Sequence, residues 1–205
     1  MALPGMVLAL VFHEYAHALT ATWLGDPTPR LSGRLSLSPQ AHLDPLGTIL
    51  FLVAGFGWAK PVPIAPWRMR WRRWGEVATA AAGPAANLTL AFVLAVLEIW
   101  LIRRGFGGPV QQIIGEGFLL NLSFGLFNLL PVPPLDGSAI LGGFLSSRQG
   151  TILAGLNNYG GLLLLVLVLS GFFWRIFGPV LSTVAVAWQS GAGTMFALFW
   201  GRGPG

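Results

Sequence analysis

The chain has 205 residues, of which 54% are hydrophobic and only 9% are charged, and its mean hydropathy is +0.69. About a quarter of the residues in soluble domains are charged, so this composition indicates an integral membrane protein. Cysteine is absent, which excludes a disulfide scaffold, a thiolate zinc finger and an iron–sulfur site. The formal charge is +5, and seven of the twelve cations lie between Arg30 and Arg73. This clustering favours a cytoplasmic face beside anionic lipid over nucleic-acid binding.

The first apolar segment, from about Pro4 to Leu24, is long enough to span a bilayer. From about Arg30 to Ser38 apolar residues then alternate with polar ones, which predicts a strand or hairpin. Asp44 and Pro45 follow as an N-cap and a first helical residue. The apolar run that they open ends at about Phe56 and is too short to span, so we expect a re-entrant or packed helix.

A loop rich in tryptophan and cations follows between Trp58 and Trp74 and suits the headgroup level of a membrane. Four further apolar helices and one short helix complete the chain. They are predicted at approximately residues 76–104, 112–130, 138–145, 159–176 and 179–200.

These segments predict an all-α polytopic membrane protein of about five to six apolar helices, with a small membrane-associated β-hairpin and one re-entrant or short helix. We expect a single domain over residues 1–205, with a motif-bearing core at about 1–147 and two accessory helices at about 159–200. The cation bias places the loop from Lys60 to Trp74 on the cytoplasmic side.

The first apolar segment contains His13-Glu14-Tyr15-Ala16-His17. Residues four apart on a helix differ by about 40° in direction, so both imidazoles project from one face and can share a tetrahedral ion. Glu14 lies beside them, where it can accept a proton from water at the metal. Each ionisable group costs on the order of 2.5 kcal/mol or more in hydrocarbon, so three in one turn indicate a metal site in a water-filled cavity. The alternative is that backbone carbonyls satisfy the two imidazoles.

A third ligand must come from elsewhere, since two histidines do not complete a zinc shell. The other carboxylates have local explanations at helix ends, in turns or as the cap at Asp44. Asp136 remains, directly after an apolar span in the stretch Asn128-Leu-Leu-Pro-Val-Pro-Pro-Leu-Asp136-Gly137. Prolines cannot donate backbone hydrogen bonds, and such a segment is tolerated at membrane depth where it is buried or lines a cavity. A plain Asp-Gly turn is the alternative.

Two further polar side chains are candidates for a supporting role. Asn87 ends the stretch Gly83-Pro84-Ala-Ala-Asn87, whose small residues allow close helix approach. Taken alone, this stretch is typical of ordinary helix packing, and it need not take part in catalysis. His42 is either an interfacial histidine or a residue that contacts the site or the substrate.

The segments HEYAH, GPAAN and NLLPVPPLDG together resemble the three signature segments of the site-2 protease family of intramembrane zinc metalloproteases, peptidase family M50. The stretches GRLSLSPQAHLDPLGT and GWAKPVPI are similar to its small subgroup that lacks a PDZ domain. The resemblance covers about residues 10–140, and the last two helices carry no motif. Ala65-Pro66 stands where relatives tend to have Asn-Pro, a departure that concerns substrate range.

The resemblance implies specific roles at matching positions. His13, His17 and Asp136 would bind one zinc ion per chain. Glu14 would be the general base and acid, and Asn128 would hold the substrate backbone or stabilise the oxyanion.

The resemblance also implies a multi-pass protease that cleaves transmembrane protein substrates, in a prokaryotic cell (inner) membrane and with its active site towards the cytoplasm. Its partners would be that substrate and the lipid bilayer, with no nucleic acid, and a homo-oligomer is compatible with the sequence. The family's hairpin would correspond to about Arg30 to Ser38. It would either pair with an unwound substrate or plug the mouth of the cavity.

Two other functions remain open at this point. Intramembrane histidines and carboxylates also mark ion pathways, as in a zinc or proton transporter. A catalytically silent member of the same fold is the third reading. Glu14 beside a closed set of two histidines and one aspartate favours a protease over both.

Overall fold

The computed structural model describes residues 3–54 and 59–200, which are mostly helical. These residues form eight α-helices and two single turns of 3₁₀ helix, Pro39–Ala41 and Pro66–Arg68. In chain order the α-helices are α1 (Leu3–Trp23), α2 (Thr28–Leu31), α3 (Pro45–Ala54), α4 (Arg72–Arg103), α5 (Pro109–Asn128), α6 (Asp136–Phe144), α7 (Ser147–Leu169) and α8 (Phe172–Trp200).

Helix α4 is the centre of the fold. It has 32 residues and packs against α1, α5, α6 and α8. Small side chains let the neighbouring helices approach it closely. The buried cluster that joins α4, α5 and α8 consists of Ala91, Leu94, Ala95, Phe118, Leu122, Ala185 and Ala192. The helices that carry the three sequence motifs are therefore all positioned by α4 itself or by contact with it.

Among the described helices, α4 is the one that is long and apolar enough by itself to cross a membrane. The bent pair of α7 and α8 passes the same test only if both helices count as one broken span. With 21 and 20 residues, α1 and α5 are long enough for a bilayer, but they carry polar side chains along their length. A membrane-capable helix is thus present, and the multi-pass arrangement stays a prediction.

The short helix predicted after Asp44 is present as α3. Asp44 caps it, because its Oδ1 accepts a hydrogen bond from the backbone N–H of Gly47 at 2.9 Å. The ten residues of α3 extend about 15 Å, half the thickness of a bilayer core. Its predicted end at Phe56 lies outside the described residues.

The predicted β-hairpin at Arg30 to Ser38 is wrong: residues 26–54 contain no strand. Part of this segment is the one-turn helix α2, and the sheet-like contact of the region is an isolated antiparallel bridge between Leu43 and Ala59. The burial is the reverse of what a core-facing strand requires, because Leu31 is 78% exposed and Leu37 is 54% exposed while Arg34 is buried. The alternating pattern therefore does not mark an apolar face.

Two buried charged side chains hold the segment between α1 and α4 in place. Asp26 accepts hydrogen bonds from the backbone N–H groups of Thr28 at 2.9 Å and Ala65 at 2.5 Å. The Arg34 guanidinium donates to the carbonyls of Ala41 at 2.6 Å and Lys60 at 3.0 Å. These contacts replace the cross-strand bonds of a hairpin and fasten the segment to the end of α1.

The last two helices differ from their predicted boundaries. The earlier start of α7 follows from a capping box between Ser146 and Gln149, a signal that the sequence carries. The break between α7 and α8 falls at Gly171, which adopts a positive φ of 72°, a conformation that glycine favours. Pro179, predicted as the start of the last helix, lies inside α8.

The buried carboxylate of Asp26 makes stability depend on pH. Burial alone would raise the pKa of Asp26, but the hydrogen bonds from Thr28 and Ala65 and the charge of Arg68 hold it below its ordinary value. A carboxylate with a lowered pKa in the folded state stabilises the fold above its unfolded pKa of about 4, and this contribution is lost as the pH falls through the folded pKa.

We therefore expect Asp26→Asn to lower the Tm of the detergent-solubilised protein at pH 7 and to weaken the fall of Tm from pH 5 to pH 3. The matched control is Asp44→Asn, since asparagine caps a helix about as well as aspartate. Thermal unfolding at several pH values measures both variants. A pH profile of Asp26→Asn parallel to that of the wild type would contradict this assignment.

Candidate active site

Two imidazoles on α1 face acceptor atoms of α4. His13 Nδ1 lies 2.6 Å from Asn87 Oδ1, and His17 Nδ1 lies 2.7 Å from the backbone carbonyl oxygen of Thr79. Since both partner atoms accept hydrogen bonds, each Nδ1 carries a hydrogen and donates it. The pairing runs in opposite directions along the two helices, so α1 and α4 are antiparallel.

The third member of the cluster is the Asp136 carboxylate. Its Oδ2 lies 3.0 Å from His13 Nε2 and 3.4 Å from His17 Nε2. An imidazole that carries its single hydrogen on Nδ1 presents a lone pair at Nε2. Within residues 3–54 and 59–200, no donor hydrogen-bonds to the buried Oδ2 atom.

These three atoms test whether the site fits a metal ion. Ligand atoms of His13, His17 and Asp136 all lie within 4.8 Å of one another. Three acceptors without a donor between them repel one another unless a cation sits among them. Two imidazole nitrogens whose other nitrogen is hydrogen-bonded, together with one carboxylate oxygen, form a donor set suited to zinc. The residues therefore fit this ion.

Gly83 makes the close approach of α1 and α4 possible. A Cβ atom at this position would lie 2.5 Å from His17 Cε1 and Nε2 and 2.7 Å from His13 Cε1. From the other side, the Phe124 ring of α5 packs edge-on against the His13 ring, with 4.9 Å between the centroids. The cluster therefore fills the junction of α1, α4, α5 and the start of α6 without room for a side chain at position 83.

Asp136 is the first residue of α6, and both ends of this short helix are anchored. Next to it, Gly137 packs so closely on the carbonyls of Leu129 and Leu130 that a Cβ atom would collide with them. At the other end of α6, the Arg73 guanidinium of α4 donates to the carbonyls of Gly142 and Leu145. A plain Asp-Gly turn would leave the carboxylate free to point elsewhere, whereas here it faces α1.

The other predicted site residues, Glu14 and Asn128, lie on α1 and at the end of α5. Glu14 is buried on α1 beside His13, with 8% of its surface exposed. Asn128 ends α5 one turn after Phe124 and donates from Nδ2 to the carbonyl of that residue at 3.0 Å. The helical spacing of four places Asn128 and Phe124 on the same side of α5.

His42 is fully buried but is not among the residues whose ligand atoms converge. Its Nε2 atom lies 2.6 Å from the carbonyl oxygen of Ser36, and its own carbonyl accepts from the N–H of Lys60 at 2.8 Å. These contacts join the two halves of the segment between α1 and α4.

Sequence reasoning missed two groups of the site. The first is the backbone carbonyl of Thr79, which no side chain announces in the sequence. Residues 79, 83 and 87 are spaced by four, so position 79 lies on the same face of α4 as Gly83 and Asn87. Asn121 of α5, whose Oδ1 accepts from Asn87 Nδ2 at 3.0 Å, was visible only as a single amide inside an apolar span.

The geometry defines the class of protein. Two histidines four residues apart on one helix, a glutamate directly after the first and a third carboxylate facing both rings are the constellation of a metal-dependent peptidase. The described helices bring these groups together from distant parts of the chain.

Comparison with known proteins agrees with this class. Peptidase family M50 matches residues 106–169, a range that includes Asp136. YwhC of Bacillus subtilis (strain 168), which is named a zinc metalloprotease, is 37% identical over 86% of this chain and 84% of its own length. Rip2 of Mycobacterium tuberculosis (strain H37Rv), named in the same way, is 31% identical over 98% of this chain and 80% of its own. No solved structure is significantly similar to the chain. The chain belongs to peptidase family M50 and is a zinc metalloprotease.

The tight contact at Gly83 yields a prediction about metal binding. Gly83→Ala places a methyl group against both imidazole rings, which Asn87 and Thr79 hold in position, so the rings must move. We expect zinc affinity to fall about 10-fold to 100-fold, the usual range for lost support of a metal ligand. Competition with a chelator measures this change.

The matched control is Gly161→Ala in α7, where an added Cβ meets no atom within 4 Å. This variant should bind zinc like the wild type. Wild-type affinity in a folded Gly83→Ala protein would show that the close approach of α4 is not needed at the site.

Proposed function

We propose that this protein is an intramembrane endopeptidase that hydrolyses peptide bonds within or near transmembrane segments of membrane-protein substrates. In this proposal His13, His17 and Asp136 hold one zinc ion per chain and Glu14 is the catalytic residue. The observation that carries the proposal is the convergence of two Nε2 atoms and one carboxylate oxygen beside a buried glutamate.

The position of the cluster along α4 supports action inside the membrane. Gly83 lies eleven residues after Arg72, the first residue of this helix. At 1.5 Å per residue the cluster is about 16 Å from the basic end of α4, which is within the hydrocarbon core if that end lies at the headgroups. A substrate bond at this depth belongs to a segment embedded in the bilayer.

The chemistry follows from the roles of the side chains. A bound zinc ion supplies Lewis acidity towards the peptide carbonyl and lowers the pKa of the attacking water. The Glu14 carboxylate takes a proton from that water as the water oxygen attacks the carbonyl carbon. Glu14 then gives this proton to the amide nitrogen as the C–N bond breaks, so that the products are a new carboxylic acid end and a new amine end, between which the acid proton can then pass.

Asn128 is proposed to bind the substrate backbone. One N–H of its amide donates to Phe124, and the second N–H and the Oδ1 atom have no partner among the described residues. An unwound substrate segment loses its helical hydrogen bonds and needs such groups, and an amide can supply a donor and an acceptor together. The same donor can stabilise the oxyanion of the attacked carbonyl.

Two observations support the proposed orientation and location in the membrane: the distribution of charged residues and the organisms of the relatives. Exposed arginines and tryptophans surround the start of α4, from Trp67 to Trp74, whereas Arg103 and Arg104 at its other end lie over the rings of Phe196 and Trp100. The larger set of cations is expected on the cytoplasmic side. Relatives from bacteria accord with a prokaryotic cell membrane.

Topology can be tested with single cysteines, since the chain has none. We expect Gln40→Cys and Arg70→Cys to react with an impermeant reagent from the cytoplasmic side, and Gly107→Cys to react from the opposite side. All three positions are exposed in the structure. Labelling of positions 40 and 70 from opposite sides would contradict the proposed arrangement.

The decisive experiment for the function is Glu14→Gln in reconstituted protein with a panel of single-span substrates. Glutamine keeps the volume of the side chain but cannot take the proton, so cleavage should fall by about 10² to 10⁴. Zinc content by elemental analysis should remain near one ion per chain, because Glu14 is not a proposed ligand. A chelator should abolish cleavage by the wild type.

The same experiment separates the competing functions. Near-wild-type cleavage by Glu14→Gln would contradict the proposed role of Glu14 as the general base and acid. A wild-type chain that binds zinc but cleaves none of the substrates would favour a catalytically silent member of the family. Zinc flux into vesicles that persists in Glu14→Gln would favour a transporter.

A further inference from the structure

A chain of buried amides runs from His13 into the interior of the fold. Asn87 of α4 and Asn121 of α5 have no exposed surface. Asn87 Nδ2 donates to the backbone carbonyl of Ala9 at 2.8 Å and to Asn121 Oδ1 at 3.0 Å. Asn121 Nδ2 donates in turn to the carbonyl of Gly117 at 2.8 Å. Both hydrogens of the Asn87 amide are thereby used.

The two backbone carbonyls fix the direction of every hydrogen bond in this chain. The carbonyl of Gly117 can only accept, so the NH₂ group of Asn121 must face it and the Oδ1 atom of Asn121 must face Asn87. The carbonyl of Ala9 likewise requires the NH₂ group of Asn87. The Oδ1 atom of Asn87 is therefore left facing His13 Nδ1. A flipped Asn87 would set its oxygen against two other acceptor oxygens.

We infer that Asn121 is a positioning residue for the metal site: through Asn87 it keeps hydrogen on Nδ1 of His13 and directs Nε2 of that ring towards Asp136. This inference rests on the proposed binding of zinc by His13. The described hydrogen bonds of the Asn121 side chain go to Asn87 and to the carbonyl of Gly117, so its path to His13 runs through Asn87.

The anchor of this chain is also a packing point between helices. A Cβ atom on Gly5 of α1 would lie 3.0 Å from the Cα atom of Gly117, so α1 and α5 are in close contact at the turn that accepts the Asn121 hydrogen bond. Through these hydrogen bonds, the position of His13 depends on α5 as well as on α4. His17 has no such chain, because its Nδ1 donates directly to the Thr79 carbonyl.

The test removes the Asn121 amide at nearly constant volume with Asn121→Leu. One hydrogen of the Asn87 amide then has no acceptor, which weakens the orientation of Asn87 and of the His13 ring. We expect the dissociation constant for zinc, measured by competition with a chelator, to rise about tenfold. Asn121→Ala, which removes the amide without adding an apolar branch, carries the same test if Asn121→Leu does not fold.

A spectroscopic readout separates positioning from a general structural effect. The chain has three histidines, so ¹⁵N-histidine labelling of the zinc-loaded protein gives few imidazole signals. In Asn121→Leu the Nδ1–H of His13 should exchange with solvent faster, while that of His17 should not change. Equal acceleration at both rings would show a structural role and overturn the inference.

Rescue and control variants complete the design. Asn121→Asp, neutral when fully buried, keeps an acceptor for Asn87 and a donor for Gly117, so its zinc affinity should stay within about twofold of the wild type. Thr89→Val removes an exposed hydrogen bond from the Thr89 hydroxyl to the carbonyl of Ala85 on the same helix and should change nothing. Wild-type affinity in a folded Asn121→Leu protein would overturn the inference. A wild-type chain that binds no zinc would overturn the proposed function, and the inference with it.

Discussion

Packing of α1 against α4 without an intervening side chain is the contact on which the site depends. Gly83 lets the two imidazole rings lie against the backbone of α4, where the neighbouring turns supply the carbonyl of Thr79 and the amide of Asn87. A bulkier residue would separate the helices, and both hydrogen bonds would lengthen together. Close packing and the orientation of both rings are therefore consequences of one helix–helix distance.

The neutral character of these supports has an electrostatic reason. Carboxylates often hold the second nitrogen of a metal-binding histidine, but each added charge is costly in an apolar surrounding. Here an amide and a backbone carbonyl hold the second nitrogens, so the supports add no charge to the carboxylates of the proposed site, Asp136 and Glu14. A divalent cation between two ionised carboxylates would bring the net charge of that site to zero, which suits a site enclosed by helices.

The parts of the site that sequence could predict are those with a local signature. The spacing of His13 and His17 on one helix and the isolation of Asp136 after an apolar span are visible without a fold, and the structure brings the three together. Asn121 and the carbonyl of Thr79 could not be found in this way, because their importance arises only when distant helices meet.

The errors in the predicted fold have two different physical causes. Alternation between Arg30 and Ser38 predicts a strand only if the apolar positions are the buried ones, and here the buried Arg34 binds carbonyls that strand pairing would otherwise satisfy. At the C-terminal helices, the last helix is predicted to begin at Pro179, but this proline lies inside α8 and the break falls at Gly171, whose φ is positive. Tertiary contacts decided the backbone around Arg34, whereas local signals, Gly171 and the capping box at Ser146, decided the boundaries of α7.

The stripe of residues 79, 83 and 87 along α4 has a consequence for how this architecture can change. A single insertion within that stripe rotates the remainder of α4 by about 100° and would turn one support away from α1. The hydrogen bonds that orient the two imidazole rings both come from α4, whereas the contact between Asp26 and Ala65 brings together the ends of the segment between α1 and α4. The register of α1 and α4 therefore constrains the site, while exposed positions of the connecting segment such as Leu31 and Leu37 can take new surface properties with both ring supports left in place.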